Sequence, residues 1–521
     1  MPGAVAAVPA TEERRPIGFL GLMRNRNYAL LWWGQLVSEL GNKFHWIAIS
    51  LWVYSFTHSA SAVSLAVAAT FVGNLLVSLW AGVLVDWFDR KRILVISDFA
   101  RAILVALIPA LMNISIWFVY ADLVLISVAT AFFRPSMFAV VPTIVTRNDI
   151  LPANSFFFAM DTGTEVVGPA IAGLFALKYG YAPLLYLDAA TYAFSALCVL
   201  GTRISHGNRV PGRRVVWRTV VEGVSEGLNY IRRDSLQWAL FILIFPAYLV
   251  GSGLNALQTP LAKGVVGITD AEFGTFNSVW AIGFLVASLV LGWFGGRANK
   301  SYLIIGGFFL QYIAAAVLGF SRTLEMLLLS GFAVGFANTL NYVGLTSVLM
   351  ERTQQRVIGR VMATRQVALG AIRVLSPLAF GALGDVIGVR QSIWAMAAVG
   401  TVGTAAVVAL SPALRRIDRA GGPGPQPKIW KSLVLSANPE FDGNQQARLN
   451  LATLAIIILT WLGIVVRYPR YGIGLLLAVL GTAYLGASLK GKFSRVATER
   501  VERMFGSFRR LVAKTGSRPK S

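Results

Sequence analysis

Apolar residues in this chain run in long blocks and do not alternate with polar ones. The blocks fall at roughly 28–56, 61–85, 93–112, 115–138, 153–177 and 182–202, and then at 236–258, 273–295, 301–320, 324–349, 359–382 and 389–411. A helix needs about 20 mostly apolar residues to cross the hydrocarbon of a bilayer. The pattern therefore predicts an all-α polytopic membrane protein made of two six-helix bundles, residues 28–202 and 235–412, with twelve spans. Residues 1–27 are expected to form a cytoplasmic N-terminus. The stretch 203–234, with Trp217-Arg218-Thr219-Val220-Val221 and Leu228-Asn229-Tyr230-Ile231, predicts an amphipathic cytoplasmic linker on the inner membrane surface.

The chain continues past the twelfth block. Residues 413–449 are polar, and Gly421-Gly422-Pro423-Gly424-Pro425 marks them as a linker. Two shorter apolar runs, 450–466 and 472–489, flank Arg467-Tyr468-Pro469-Arg470 and predict a hydrophobic hairpin. It either crosses the bilayer or lies in the interface, since two arginines at the tip disfavour crossing. Residues 490–521 form a basic cytoplasmic tail suited to anionic inner-leaflet lipid, or equally a solvated tail.

Composition supports a lipid host. The 521 residues are 56% hydrophobic and only 14% charged, and the mean hydropathy is +0.63. Soluble chains average about 25% charged residues. The net charge is +23, but the cations cluster between apolar blocks, which points to orientation and lipid headgroups and away from nucleic acid. With the N-terminus inside, the inner segments carry Arg14, Arg15, Arg24, Arg26, Arg90, Lys91, Arg92, Arg147, seven cations in 203–234, Arg297, Lys300, Arg352, Arg356 and Arg360. The outer loops carry only Lys178, Lys263, Arg322 and Arg390. This is the positive-inside asymmetry, and it places the chain in the cell membrane. The first 27 residues do not read as a cleaved signal peptide. One cysteine, Cys198, excludes a disulfide framework.

The loop after the second block reads Gly82-Val83-Leu84-Val85-Asp86-Trp87-Phe88-Asp89-Arg90-Lys91-Arg92. It resembles the signature loop of the major facilitator superfamily. Gly82 would permit close helix packing, Asp86 would cap or pair across an inner gate, and Arg90 and Lys91 would hold the loop inside. Asp98 and Arg101 are expected to join that gate. Arg24-Asn25-Arg26-Asn27-Tyr28, Ala131-Phe132-Phe133-Arg134-Pro135, Pro152-Ala153-Asn154-Ser155 and Gly359-Arg360-Val361-Met362 are similar to the enterobactin-exporter and macrolide-efflux branch. The resemblance covers roughly 20–412 and implies two halves that rock around a central site, commonly exchanging protons for substrate. Gly168-Pro169-Ala170-Ile171-Ala172-Gly173 resembles part of the antiporter signature of the fifth helix, where Gly168, Pro169 and Gly173 would serve packing and bending. The second-half counterpart of the loop, Gly292 to Lys300, has Gly296 where the aspartate would stand.

A charge inside a span is costly and is read as functional by default. Span one holds Gln35, Glu39, Asn42 and Lys43; Glu39 and Lys43 share a face, as a self-contained ion pair or as a polar cavity wall. Span five holds Asp161 and Glu165, also i,i+4, which are candidates for carrying a proton, with Arg134 or Arg373 tuning or pairing with them. Arg134 also has the simpler reading of a snorkelling cation. Asn255, Gln258, Asn277, Asn338, Asn341 and Tyr342 give the second half an uncharged polar lining. No phosphate-binding glycine loop, nucleophile–base set or metal-ligand spacing is visible, so no enzyme activity, cofactor or metal is expected. The predicted function is proton-coupled export of a small amphiphilic compound by a monomer, without nucleic-acid partners. The alternatives are a lysophospholipid flippase and a non-transporting sensor or scaffold.

Overall fold

A computed structural model describes residues 19–204, 217–294, 300–354, 357–411 and 414. A short helix, α1 (Phe19–Met23), precedes six long ones: α2 (Arg26–Thr57), α3 (Ala60–Trp87), α4 (Arg90–Met112), α5 (Ile116–Ile144), α6 (Ile150–Tyr179) and α7 (Tyr181–Gly201). A linking helix, α8 (Trp217–Arg233), leads to α9 (Ser235–Thr259), α10 (Asp270–Phe294), α11 (Lys300–Gly319), α12 (Leu324–Arg352), α13 (Ile358–Ile387) and α14 (Val389–Leu410). A π-helical turn, Pro260–Val266, extends α9. The long helices coincide with the expected blocks, except that α5 continues through Pro135 and Pro142 past the predicted end at 138.

Ten of the described helices are long and apolar enough to cross a membrane. The other two long ones, α2 and α6, have 32 and 30 residues but fall short in hydropathy. Gln35, Glu39, Asn42 and Lys43 interrupt one, and Asp161 and Glu165 the other. The least lipid-like helices are thus those with the candidate transport groups. The predicted hairpin 450–489, the linker 413–449 and the tail 490–521 lie outside the described residues, apart from Leu414.

Side-chain caps set many helix starts, because the first backbone N–H groups of a helix have no partner within it. Asn25 Oδ1 accepts from the Asn27 and Tyr28 amides at 3.1 and 3.3 Å. Asp89 Oδ1 serves Lys91 and Arg92 at the start of α4, and Asp234 Oδ1 serves Leu236 and Gln237 at the start of α9. His58 ends α2 in the left-handed region at φ 51° and donates its amide to Tyr54 O.

By packing, residues 1–288 and 298–420 form one unit and 289–297 with 421–521 another. Of the second unit, only the end of α10, 289–294, is described. Within the first unit, α2 packs on α6 and α7, α4 on α5 and α7, and α3 on α5. In the second half α9 packs on α13 and α14, and α11 on α12 and α14. The halves meet chiefly where α3 lies along α13. They also meet where α6 crosses α10 so closely that a Cβ on Gly173 would stand 2.4 Å from Asp270 O and 2.8 Å from Gly274 Cα. Here Gly173 is a contact residue between halves.

The linking helix differs from expectation. Its apolar face is covered by protein: Ile231 is fully buried with Phe241, Leu349 and Val361, and Leu228 and Tyr230 pack beside it. Thr364 Oγ1 donates to Val224 O at 2.9 Å, and Arg360 pairs with Glu226. Amphipathic spacing marked the helix correctly, but an apolar stripe packs as well on α9 and α13 as on lipid.

Candidate functional site

The polar face of α2 is the starting point. Gln35, Glu39 and Asn42 recur every three to four residues and so share one side of the helix. Gln35 Nε2 donates to Ser195 Oγ of α7 at 3.1 Å, and Ser195 Oγ donates to Asp98 Oδ2 of α4 at 2.8 Å. Asp98 is fully buried and pairs with Arg101, which is 3% exposed. The guanidinium of Arg101 lies over the rings of Phe133 and Tyr192, 4.2 and 4.3 Å from their centroids. Tyr192 OH donates to Asn42 Oδ1, and Asn42 Nδ2 donates to Glu39 Oε2 at 3.2 Å. The chain of contacts leaves α2 at Gln35 and returns to it at Asn42. Asp98 and Arg101, expected at a loop gate beside Asp86, are placed inside the first bundle, where each charge is buried only because the other is there.

A second group faces α6. Lys43 pairs with Glu165, and the expected i,i+4 partner, Glu39, instead accepts from Asn42. Glu165 remains 46% exposed and Lys43 16%. Gly168 makes this possible, since a Cβ there would lie 2.7 Å from the Lys43 stem. Pro169, one residue on, is buried and has no N–H for the Glu165 carbonyl; the next amide, Ala170, donates to Ser278 Oγ of α10 at 3.1 Å. Asp161 lies within electrostatic reach of Glu39, Lys43, Arg134 and Glu165. Arg134 is exposed on α5. Arg373 of α13 stands between aromatic faces, 5.6 Å from the Phe71 ring of α3 and 5.7 Å from the Tyr248 ring of α9.

The expected second-half lining is mixed. Asn341 is buried and donates to Gln311 Oε1 at 2.7 Å and to Ala337 O at 3.0 Å, a structural role. Gln258 is buried and its Nε2 donates to Asn255 O, while Asn255 itself is exposed. Asn277 donates back to Phe273 O. Asn338 is half-buried, its amide nitrogen near Gly251. Tyr342 is exposed, with the Arg365 guanidinium 5.6 Å from its ring. A recess of about 430 Å³ between α11 and α14, with Phe320, Trp394 and Thr401 among its lining residues, holds none of the candidate charges.

Of the loop motif, Gly82 and Asp86 fall on α3 in a part whose side chains are not described, as are Gly296 and Arg297. Asp89 caps α4. Arg90 Nη1 donates to Ala139 O at 3.2 Å, and Lys91 Nζ donates to Leu200 O and Thr202 O at 2.8 and 2.7 Å. The lysine thus sits on the negative end of the α7 dipole. These contacts stay within the first half.

Several groups were passed over in the sequence: Asp122, Asp188 and Arg365, for which a charge in an apolar block was the signal, and Asp385, which lies between the expected blocks 359–382 and 389–411 and carried no such signal. Asp385, near the end of α13, reaches the start of α3 in the other half. Its carboxylate accepts from Ser59 Oγ at 2.6 Å, the Ala60 amide at 2.6 Å, the Ser61 amide at 3.0 Å and the Ser61 hydroxyl. It is a helix cap supplied from another helix.

Comparison with known proteins agrees with this architecture. The profile of the Major Facilitator Superfamily matches residues 31–261 and 240–517, the second match running past the expected limit at 412. Macrolide efflux protein A of Streptococcus pyogenes is 24% identical over 344 residues, 64% of this chain and 83% of that protein. The multidrug efflux pump Tap of Mycolicibacterium fortuitum is 26% identical over 424 residues, 76% of this chain and 98% of its own. Among solved structures, the nucleoside transporter NupG superposes with a TM-score of 0.62 at 12% identity, over 74% of this chain and 98% of its own. A bacterial homologue of the iron transporter ferroportin gives 0.59 at 14% identity, over 75% of this chain and 99% of its own. The chain belongs to the Major Facilitator Superfamily, as a multi-pass membrane transporter and not an enzyme.

Proposed function

We propose that this protein exports small amphiphilic compounds of the macrolide or multidrug kind, by alternating access coupled to protons. The observation that carries the reading is the Lys43–Glu165 pair with Asp161 beside it, on the two helices least suited to lipid. A carboxylate that is 46% exposed within a spanning helix needs water, because hydrocarbon does not solvate it. A hydrated cleft beside α2 and α6 meets that need. A proton arriving on Glu165 would cancel the attraction that holds Lys43 and release α6 from α2, leaving the Lys43 ammonium to the neighbouring carboxylates of Glu39 and Asp161. Return of the pair would reset the cleft. The efflux relatives named above support the direction of transport and the class of substrate.

Inter-half contacts at Asp385–Ser59 and Gly173–Gly274 favour a conformer closed at the end where α2 turns into α3. With the N-terminus inside, as the charge asymmetry favours, that end is the outer one, and the cleft opens inward.

The test is export of a macrolide from an efflux-deficient host, and pH-gradient-driven uptake of the same compound into inverted vesicles. The wild type should lower cellular accumulation. Asp161→Asn with Glu165→Gln should abolish gradient-driven uptake while the detergent-solubilised protein stays monodisperse. Unchanged uptake by the double variant removes the coupling assignment; no export by the wild type removes the substrate class.

A further inference from the structure

A second set of ionisable groups lies deeper in the first bundle and is not used by the mechanism above. It comprises His45 of α2, Asp122 of α5 and Asp188 of α7. Asp188 is fully buried, and Asp122 is 4% exposed. A Cβ on Gly41, one turn before His45, would stand 2.4 Å from Asp188 Oδ1, so the bare glycine lets α2 and α7 meet at this carboxylate. His45 Nδ1 lies 3.3 Å from Asp188 Oδ2. The two atoms have no other polar partner, and Asp122 Oδ2 is buried without a hydrogen-bond partner. Asp122 is within electrostatic reach of His45. Asp188 Oδ1, by contrast, is served by Thr191 Oγ1 at 3.3 Å.

We propose that His45, Asp122 and Asp188 form a proton-binding site inside the first bundle, separate from the Lys43–Glu165 pair. The His45–Asp188 contact and the unpartnered Asp122 oxygen put one imidazole and two carboxylates inside one apolar bundle, where a net negative charge is costly. Leaving a buried polar atom unmatched costs about 1–3 kcal/mol. A proton added to the His45–Asp188 contact cancels its net negative charge, whichever tautomer the neutral imidazole holds. The imidazole touches Asp188, and its charge is felt at Asp122.

The site has room for a water beside it. A cavity of about 20 Å³ abuts His45 and is lined by Ser50 of α2 and by Ala66, Val67 and Thr70 of α3. One water needs roughly 10–15 Å³ of such space, so one water fits next to the imidazole. The surrounding charges are accounted for. Arg101 of α4 is the cation within reach of Asp188, but its own partner is Asp98. Tyr192 of α7 faces Asp188 and is committed to Asn42. Glu39 acts on Tyr192 and Arg101 one turn away, and Lys43 is held by Glu165 on the α6 side. From α3 the cavity receives only apolar side chains and the Thr70 hydroxyl.

Use of this proton in transport rests on the coupled-export reading above; its binding does not. The test is infrared difference spectroscopy of the full-length protein in liposomes, titrated with pH in the absence of substrate. The wild type should show a carboxyl C=O band that grows and fades with pH. Asp188→Asn should leave the Asp161 and Glu165 contribution to that band and remove the component due to Asp188. His45→Gln, a milder change, should move its midpoint by about one pH unit, a tenfold change in proton affinity. Should Asp188→Asn fail to fold, the His45→Gln and Asp122→Asn midpoints decide. Spectra that titrate identically in the wild type and in every variant that folds would overturn the site. An Asp188 component in a wild type that exports nothing would sink the proposed function and leave the site standing; proton-driven export by a wild type with no Asp188 component would do the reverse.

Discussion

Removing Asp385 should loosen one end of the transporter without unfolding it. The carboxylate sits on α13 but caps α3, accepting two backbone amides and two serine hydroxyls of Ser59, Ala60 and Ser61. Loss of a helix cap costs about 0.5–2 kcal/mol. The site is solvent-exposed, so water partly replaces the lost bonds and the upper part of that range is not reached. These contacts cross between the halves, so the loss falls on the conformer in which α3 and α13 touch, and the open form pays nothing. A change of about 0.5–1 kcal/mol is a factor of roughly 2–5 in a two-state ratio. The assay is spin-label distance measurement between Tyr179→Cys and Val265→Cys, in opposite halves at that end, with Cys198→Ser to remove the native thiol. Asp385→Ala should transfer population to a longer distance by a factor within that range. Asp385→Asn, which keeps an accepting oxygen and caps nearly as well, should leave most of the closed population. Superimposable distance distributions for the parent and Asp385→Ala would refute the latch. Equal losses from Asn and Ala would show that charge on the helix dipole, not hydrogen bonding, holds it.

Two further outcomes follow from packing and burial. Arg101→Met should lower thermal stability in detergent by about 3–5 kcal/mol, because Asp98 is then buried with no counter-charge; adding Asp98→Asn should recover much of the loss, and no recovery would mean that Arg101 acts through its aromatic stacking on Phe133 and Tyr192. Gly173→Val places a side chain into the backbone of α10 at 2.4 Å from Asp270 O; overpacking of about 1–3 kcal/mol is expected, and export should fail at an expression level that stays near the parent's, whereas normal export would show that α6 and α10 need not approach so closely.

Much of this protein is legible from its order of residues. Twelve apolar blocks predict the helices to within a few residues, because a bilayer leaves a spanning segment no partner for its backbone except itself. The loop from Gly82 to Arg92 carried the family resemblance. The charged candidates on α2 and α6 were visible for the same reason, since a charge in an apolar run stands out. The partners were not visible. Helical spacing offered Glu39 to Lys43, but Gly168 lets α6 come close enough to give it Glu165. Asp98 and Arg101 were expected at the inner gate near Asp86; what their sequence position did not show is that the packing of α4 against α5 and α7 encloses them with Phe133, Tyr192 and Ser195. Asp385 lies some 325 residues from the helix it caps. Local chemistry sets which segments become helices and which groups are expensive to bury; only the approach of distant helices decides which of those groups find a partner, and which, like His45, Asp122 and Asp188, are left waiting for a proton.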